Sequence, residues 1–272
     1  MRATLKYYQS QLKSTAGLEN ISYIEFADTQ QTYSRINQSY TDVSYYDTLD
    51  WELEEKLSKV LSGVLLSKME SKLFLNTANE IKSYFDGKSN SARYIQGAFY
   101  SWMKGKLGIL HNVSSKDEDN RKPLPKNHNF KWSTIDYSKN KAEEPFYEEA
   151  KTYINSHPTF KDNIGSTDLL HLYPINEEGA KAQLEEFLEK RLENFGPYED
   201  AVDRKEKVLF HSFLSAPLNA GLVSPKFVLD SVMEYKGKVP INSLEGFVRQ
   251  LIGWREYQRG SMFNMYVGSK SF

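Results

Sequence analysis

The chain has 272 residues, 26% charged and 39% hydrophobic, with a net charge of −1 and no cysteine. That length supports a sizeable core and two domains. The lack of thiols excludes disulfides, thiolate nucleophiles and any cysteine-bound zinc or iron–sulfur centre within these residues. No apolar run is long enough to cross a membrane and the N-terminus has no apolar signal core, so a soluble, intracellular protein with no membrane partner is expected.

In chain order, "MRATLKYYQSQLK" reads as an amphipathic helix with Leu5, Tyr8 and Leu12 on one stripe. "NISYIEFAD", residues 20–28, alternates and is rich in Ile, Tyr and Phe, which predicts a strand. A polar stretch follows, then the helix "WELEEKLSKVLSGVLL" behind an Asp50 N-cap. "KLFLN", residues 72–76, predicts a short strand, and "TANEIKSYFDG" a helix closed by Gly87. Helices alternating with strands predict a parallel sheet. The polar, proline-containing "SSKDEDNRKPLPKNHNFKW" supports neither period and reads as a connection. From Asn176 on the pattern is helical, with Leu184, Phe187, Leu188 and Leu192 on one stripe. The expected architecture is an α/β domain over 1–110, an interdomain linker over 111–175 and an all-α domain over 176–272.

Two later segments carry the chemistry. In "LFHSFLSAPLNAGLVSP", Ser215 and Ser224 each stand just ahead of a first-turn proline, which marks two helix starts, and Gly221 ends the first helix. Free N–H groups at a helix start suit a phosphate, and Ser212 and Ser215 add hydroxyl donors. Capping alone accounts for the same serines. In "VPINSLEGFVRQLIGWREYQRG", Asn242 and Glu245 read as a capping box, and Leu244, Phe247, Val248 and Leu251 face a core. Gly246, Gln250, Gly253 and Tyr257 share another face. Glycines there admit a flat group or another helix close to the backbone. The five histidines show no metal-site spacing.

These two segments, with "FGPYEDA", resemble the flavin-binding domain of the deoxyribodipyrimidine photolyase-related branch of the cryptochrome/photolyase family. That branch includes iron–sulfur bacterial cryptochromes and (6-4) photolyases. The resemblance is dense over about 180–262, while "MRATLKYY", "FLNTANEIKSYF" and "DEDNRKPLP" resemble the antenna domain and linker more thinly. It implies an incomplete Rossmann-like parallel sheet in the antenna-type domain, followed by the N-terminal part of an all-α FAD-binding-type domain. It also implies FAD as cofactor. Ser212, Leu214 and Ser215 would hold its phosphates, with His211 in place of the usual hydroxyl residue. Trp254 and Arg255 of "GWRE" would lie near the flavin, Arg249 and Gln250 would be their helix neighbours, and Tyr198 would stand on the adenine side. Gly246 and Gly253 would make room for the cofactor. The segments near 212 and 254 are thus expected to converge on one dinucleotide cradle.

The family chemistry is light-driven electron transfer from reduced flavin to a pyrimidine photoproduct in damaged DNA. From residue 201 onward ten Lys/Arg stand against six acids, which permits DNA without specifying it. Three departures qualify the resemblance. The chain opens on a helix without the family's preceding strand. The linker lacks a Gly-Gly-x-Trp segment. The later helices, with their lesion-facing histidines, electron-transfer aromatics and four cluster-binding cysteines, have no counterpart, so no iron–sulfur cluster forms here. A truncated portion is expected, with FAD bound poorly or not retained and no independent activity. A second chain supplying the missing half is the partner such a site calls for. A non-catalytic remnant, a partner-binding homologue and a blue-light sensor share the same residues, and the antenna pigment is unassigned.

Overall fold

A computed structural model describes residues 1–18, 20–88, 95–132, 134–162 and 164–269. Helix α1 (Arg2–Lys13) leads to a 3-10 turn (Phe26–Asp28) and α2 (Thr29–Ser39). Strand β1 (Asp42–Tyr46), α3 (Trp51–Val60) and β2 (Leu65–Met69) follow, and the two strands pair in parallel with Asp42 opposite Leu65 and Tyr46 opposite Met69. The Asp50 side chain caps α3 as expected, accepting from the Leu53 N–H. Helix α4 (Ala78–Asp86) starts at a Thr77–Glu80 capping box and ends at Gly87. Helix α5 (Gln96–Leu107) completes the N-terminal half. This is an α/β region with a small parallel sheet.

Four expectations for this half change, each for a physical reason. Residues 20–25 belong to no ladder and run into the 3-10 turn at Phe26. Side chains tie this segment to α1: Glu25 accepts from Arg2 at 2.6 Å and from Lys6 at 2.8 Å. "KLFLN" is no strand either. The Leu75 and Asn76 N–H groups donate to the buried Glu256 carboxylate, at 2.8 and 3.2 Å, and not to a neighbouring strand. The polar stretch conceals α2, which buries no residue fully, and β1. The helix expected over 51–66 stops at Val60, and its last apolar residues open β2.

Residues 111–175 are more structured than a bare connection. A 3-10 turn (Asp117–Asn120) is followed by another (Tyr137–Lys139), by α6 (Glu144–Ser156) and by a third (Leu170–Leu172). Tyr137, Tyr147, Ala150 and Ile175 form a small core with Ala3 of α1. Helices α7 (Glu177–Lys190), α8 (Leu192–Phe195), α9 (Ser215–Asn219), α10 (Pro225–Met233) and α11 (Ile241–Val248) come next. A π-helical segment (Arg249–Trp254) then joins α11 to α12 (Arg255–Ser269). The main core runs from Ile81 and Phe99 through Leu184 and Phe187 to Val248 and Ile252, so α4 and α5 share it with the C-terminal helices.

The Asn242–Glu245 capping box is corrected. Pro240 is the N-cap, with no side-chain cap bond. Glu245 is fully buried and accepts from the Lys116 N–H at 3.1 Å, while Asn242 pairs with Asn120 at 3.1 Å. Both side chains therefore dock the linker onto α11.

Candidate functional site

The site is built on the loop between α8 and α9. Leu209 and Phe213 have φ of +48° and +60°, a left-handed conformation that costs non-glycine residues about 1–2 kcal/mol each. Such strain persists only where the surroundings enforce it. Here α7 and the residue after it do so. Gln183 Nε2 donates to the carbonyls of Ser212 at 3.2 Å and Phe213 at 2.7 Å. Arg191 Nη1 donates to the His211 carbonyl at 2.7 Å, and its Nη2 pairs with the buried Glu186. The Ser212 hydroxyl accepts from the Leu214 N–H at 3.3 Å, which turns the chain into α9.

His211, Ser212 and Ser215 thereby line a cavity of about 550 Å³ together with Gln250, Glu199, Asp200 and Lys207. Tyr173, Phe195, Phe213 and Phe247 supply its aromatic walls. Gln250 reaches it from the π-helical segment, a kind of local widening that recurs at functional sites. Burial, and secondarily the Arg191 charge, holds the His211 imidazolium form down, so the ring is neutral at pH 7.

Behind this wall lies a buried ion cluster. Arg249 Nη2 stands 3.1 Å from Glu199 Oε1 and 2.8 Å from Asp117 Oδ1, and its Nε lies 3.8 Å from Glu245 Oε1. Desolvation raises the Glu199 pKa, opposed by Arg249.

The predicted residues separate into two groups. His211, Ser212, Ser215 and Gln250 share the cavity. Leu214 is core, and Arg249 faces the ion cluster. Tyr198 stacks on Phe210 with centroids 5.5 Å apart. Trp254 is 40% exposed beside Tyr257. Arg255 donates to Asn219 Oδ1 at 2.7 Å and to the Leu73 carbonyl at 3.3 Å, with its guanidinium over Phe74. Ser212 and Arg255 therefore do not meet in this cavity.

Nor do the glycines open onto it. A Cβ at Gly246 would strike Asn120 at 2.6 Å, and one at Gly253 would strike Gln96 at 2.8 Å and the Tyr100 ring at 3.3 Å. They serve close packing of the linker and α5. The extra residue per turn of the π-helical segment rotates the face that a regular seven-residue spacing would have preserved.

Sequence reasoning missed Glu199, Lys207, Tyr173, Phe213 and Phe247, and the supporting Gln183 and Arg191. One signal was available. Gln183, Glu186 and Arg191 are buried polar residues interleaved with the apolar stripe of α7, which a purely structural helix has no need of.

The donor set fits a dinucleotide in kind. Two hydroxyls, an ammonium and a carboxamide suit phosphate and ribose oxygens and four aromatic rings suit a flat heterocycle, while the Glu199 and Asp200 carboxylates in the same lining oppose a phosphate and accept only from donors. The helix-start argument itself weakens, because α9 has only five residues and its dipole is correspondingly small. Among the described residues no helix is long and apolar enough to cross a membrane.

Comparison with known proteins agrees with the sequence resemblance. The chain is 29% identical over 214 residues to a (6-4) photolyase of Agrobacterium fabrum, covering 73% of this chain and 39% of that protein. It is 42% identical over 84 residues to an uncharacterized protein of Acanthamoeba polyphaga mimivirus, covering 27% of this chain and 64% of the viral protein. The chain thus spans less than two thirds of each of these relatives. The family model described as deoxyribodipyrimidine photo-lyase-related protein matches residues 1–171, the half in which the sequence resemblance is thinner. With that match extending over more than half of its 272 residues, the chain belongs to the deoxyribodipyrimidine photo-lyase-related protein family.

Proposed function

We propose that this chain carries part of the FAD cradle of a photolyase-related flavoprotein that acts on pyrimidine photoproducts in DNA, and that it does not repair DNA alone. The observation supporting this reading is the strained loop between Leu209 and Phe213, which presents His211, Ser212 and Ser215 to the same cavity as Gln250. When bound, FAD supplies the light absorption and one-electron chemistry. The chain's own residues bind and orient. The Ser212 and Ser215 hydroxyls and the Lys207 ammonium donate to phosphate oxygens, and the Gln250 carboxamide fixes orientation. Phe213, Phe247 and Tyr173 exclude water from one face of the ligand. A neutral His211 donates through one ring nitrogen without adding charge.

On this reading β1 and β2, joined through α3, are part of a Rossmann-like sheet, and residues 1–110 and 176–272 correspond to antenna-type and flavin-binding portions. Because the chain spans 39% of the (6-4) photolyase, repair activity is expected only once the remaining portion is supplied. The test is a fluorescence titration of the purified chain with FAD, followed by desalting. Saturable but weak binding that desalting removes is expected, and Ser212→Ala with Lys207→Ala should abolish it. Absence of saturation at millimolar FAD with a folded chain would refute the cradle. Flavin retained at one per chain would refute the claim that the site is partial.

A further inference from the structure

Arg255 lies outside the cavity, yet it joins the two elements that carry Ser215 and Gln250 into it. Its Nη1 donates to Asn219 Oδ1 at 2.7 Å. Asn219 closes α9, four residues after Ser215, and residues four apart share one face of an α-helix. Gln250 and Arg255 are five apart, a spacing that a regular α-helix turns to different sides. Here the Arg255 N–H donates to the Gln250 carbonyl, the five-residue bond of a π-turn, so the two stand one turn apart on one side. Ser215 and Gln250 therefore line the cavity while Asn219 and Arg255, one turn away on each element, are hydrogen bonded to each other.

Arg255 is itself held. Its Nη2 donates to the Leu73 carbonyl at 3.3 Å, and its guanidinium lies 4.8 Å from the centre of the Phe74 ring, with Arg259 4.7 Å from the same ring. Leu214 and Leu218 seat α9 in the core, but apolar burial is non-directional. A planar guanidinium with fixed donors sets the rotation of a short helix more sharply.

We propose that Arg255 is a positioning residue: through Asn219 it ties α9 to the π-helical segment and so sets the gap between the Ser215 hydroxyl and the Gln250 carboxamide. The proposal rests on the reading that the cavity takes a flavin nucleotide. It also gives the π-turn a task, that of bringing Arg255 onto the side of Gln250. Without the tie α9 shifts relative to Gln250, and a ligand held at Gln250 loses its hydroxyl donor.

The test is titration with FAD of the wild-type chain, Asn219→Ala, Asn219→Asp, Arg255→Lys, Ser215→Ala and the Asn219→Ala, Ser215→Ala double variant. Asn219 is exposed, so its variants keep the fold even if Arg255→Lys does not. Asn219→Ala and Ser215→Ala are each expected to weaken binding by about tenfold, the effect of one lost hydrogen bond to a charged group. Arg255→Lys keeps the charge but not the fork to Asn219 and Leu73, and should weaken binding similarly. Asn219→Asp keeps the acceptor and should bind within about twofold of wild type. The double variant should bind no more weakly than Ser215→Ala alone, because the tie acts through that hydroxyl. Losses that multiply in the double variant would mark a general structural effect and overturn the proposal, as would wild-type affinity in Asn219→Ala. If the wild-type chain binds no FAD, the underlying reading fails and this proposal with it.

Discussion

Gly196→Ala tests how firmly the cavity walls are fixed to one another. Gly196 ends α8 against the first turn of α11. An added Cβ would lie 2.7 Å from the Ser243 nitrogen and 2.8 Å from the Asn242 carbonyl carbon and the Ser243 Cα. These are backbone atoms of a packed helix, so they move only as a unit. Gly196 N also donates to Ser243 Oγ at 3.0 Å, and that hydroxyl donates to the Glu193 carbonyl at 2.7 Å. Overpacking costs about 1–3 kcal/mol. Disturbing the two hydrogen bonds adds about 1 kcal/mol each. Against this, reduced freedom of the unfolded chain returns about 0.4–1 kcal/mol. The net cost is about 2–5 kcal/mol, a fall in Tm of roughly 4–15 °C for a chain of this size. Phe195 and Glu199 flank this glycine in sequence while Phe247 and Gln250 follow Ser243, so ligand affinity should fall with stability. Gly105→Ala is the control: nothing lies within 4 Å of its added Cβ in helix α5, so its Tm should not fall. Thermal denaturation followed by circular dichroism decides it. A Gly196→Ala protein melting with the wild type would show that the α8–α11 contact does not hold the site.

Three further outcomes are expected. Arg191→Met removes both the ion pair with buried Glu186 and the hydrogen bond to the His211 carbonyl and should cost roughly 3–5 kcal/mol in urea unfolding, with only the ion-pair part recovered in the Arg191→Met, Glu186→Leu double variant; equal stability of single and double variants would show no coupling. Asn120→Ala removes the hydrogen bonds at 3.2 Å to the Asn242 carbonyl and at 3.1 Å from its Nδ2, worth about 2 kcal/mol together, and should speed trypsin cleavage after Lys116 and Arg121; an unchanged digestion rate would count against docking of the linker. Arg2 and then Lys6 pull the Glu25 pKa down to about 2, so the stabilisation is present above the ordinary glutamate pKa and is lost as pH falls through about 2. Solvent screening keeps it below about 1 kcal/mol. The stability gap between the wild type and Glu25→Gln should therefore be visible at pH 6 in low salt and close between pH 4 and pH 2, whereas a gap independent of pH would rule out the ion pair as its source.

Local signals were legible where one short segment decides the outcome. Asp50, Thr77 to Gly87, the α7 stripe and the Ser224-Pro225 start all act within a few residues. Residues 20–28 were misread because alternation reports a strand's surface but not its partner. "KLFLN" was misread because Glu256, some 180 residues away, takes its N–H groups. At the cavity, His211, Ser212 and Ser215 were legible as a cluster of polar groups at a helix start. Trp254 and Arg255 were misplaced because the π-helical turn changes the face without any mark in composition.

The central claim is that the 209–215 loop and the 247–250 turn grip one ligand. Hydrogen–deuterium exchange of the full chain with and without saturating FAD tests it most directly. Slowed exchange confined to Leu209–Ser215, Phe247–Gln250 and the neighbourhood of Glu199 is the expected result. Protection elsewhere, or none at a concentration where flavin fluorescence reports binding, would contradict it.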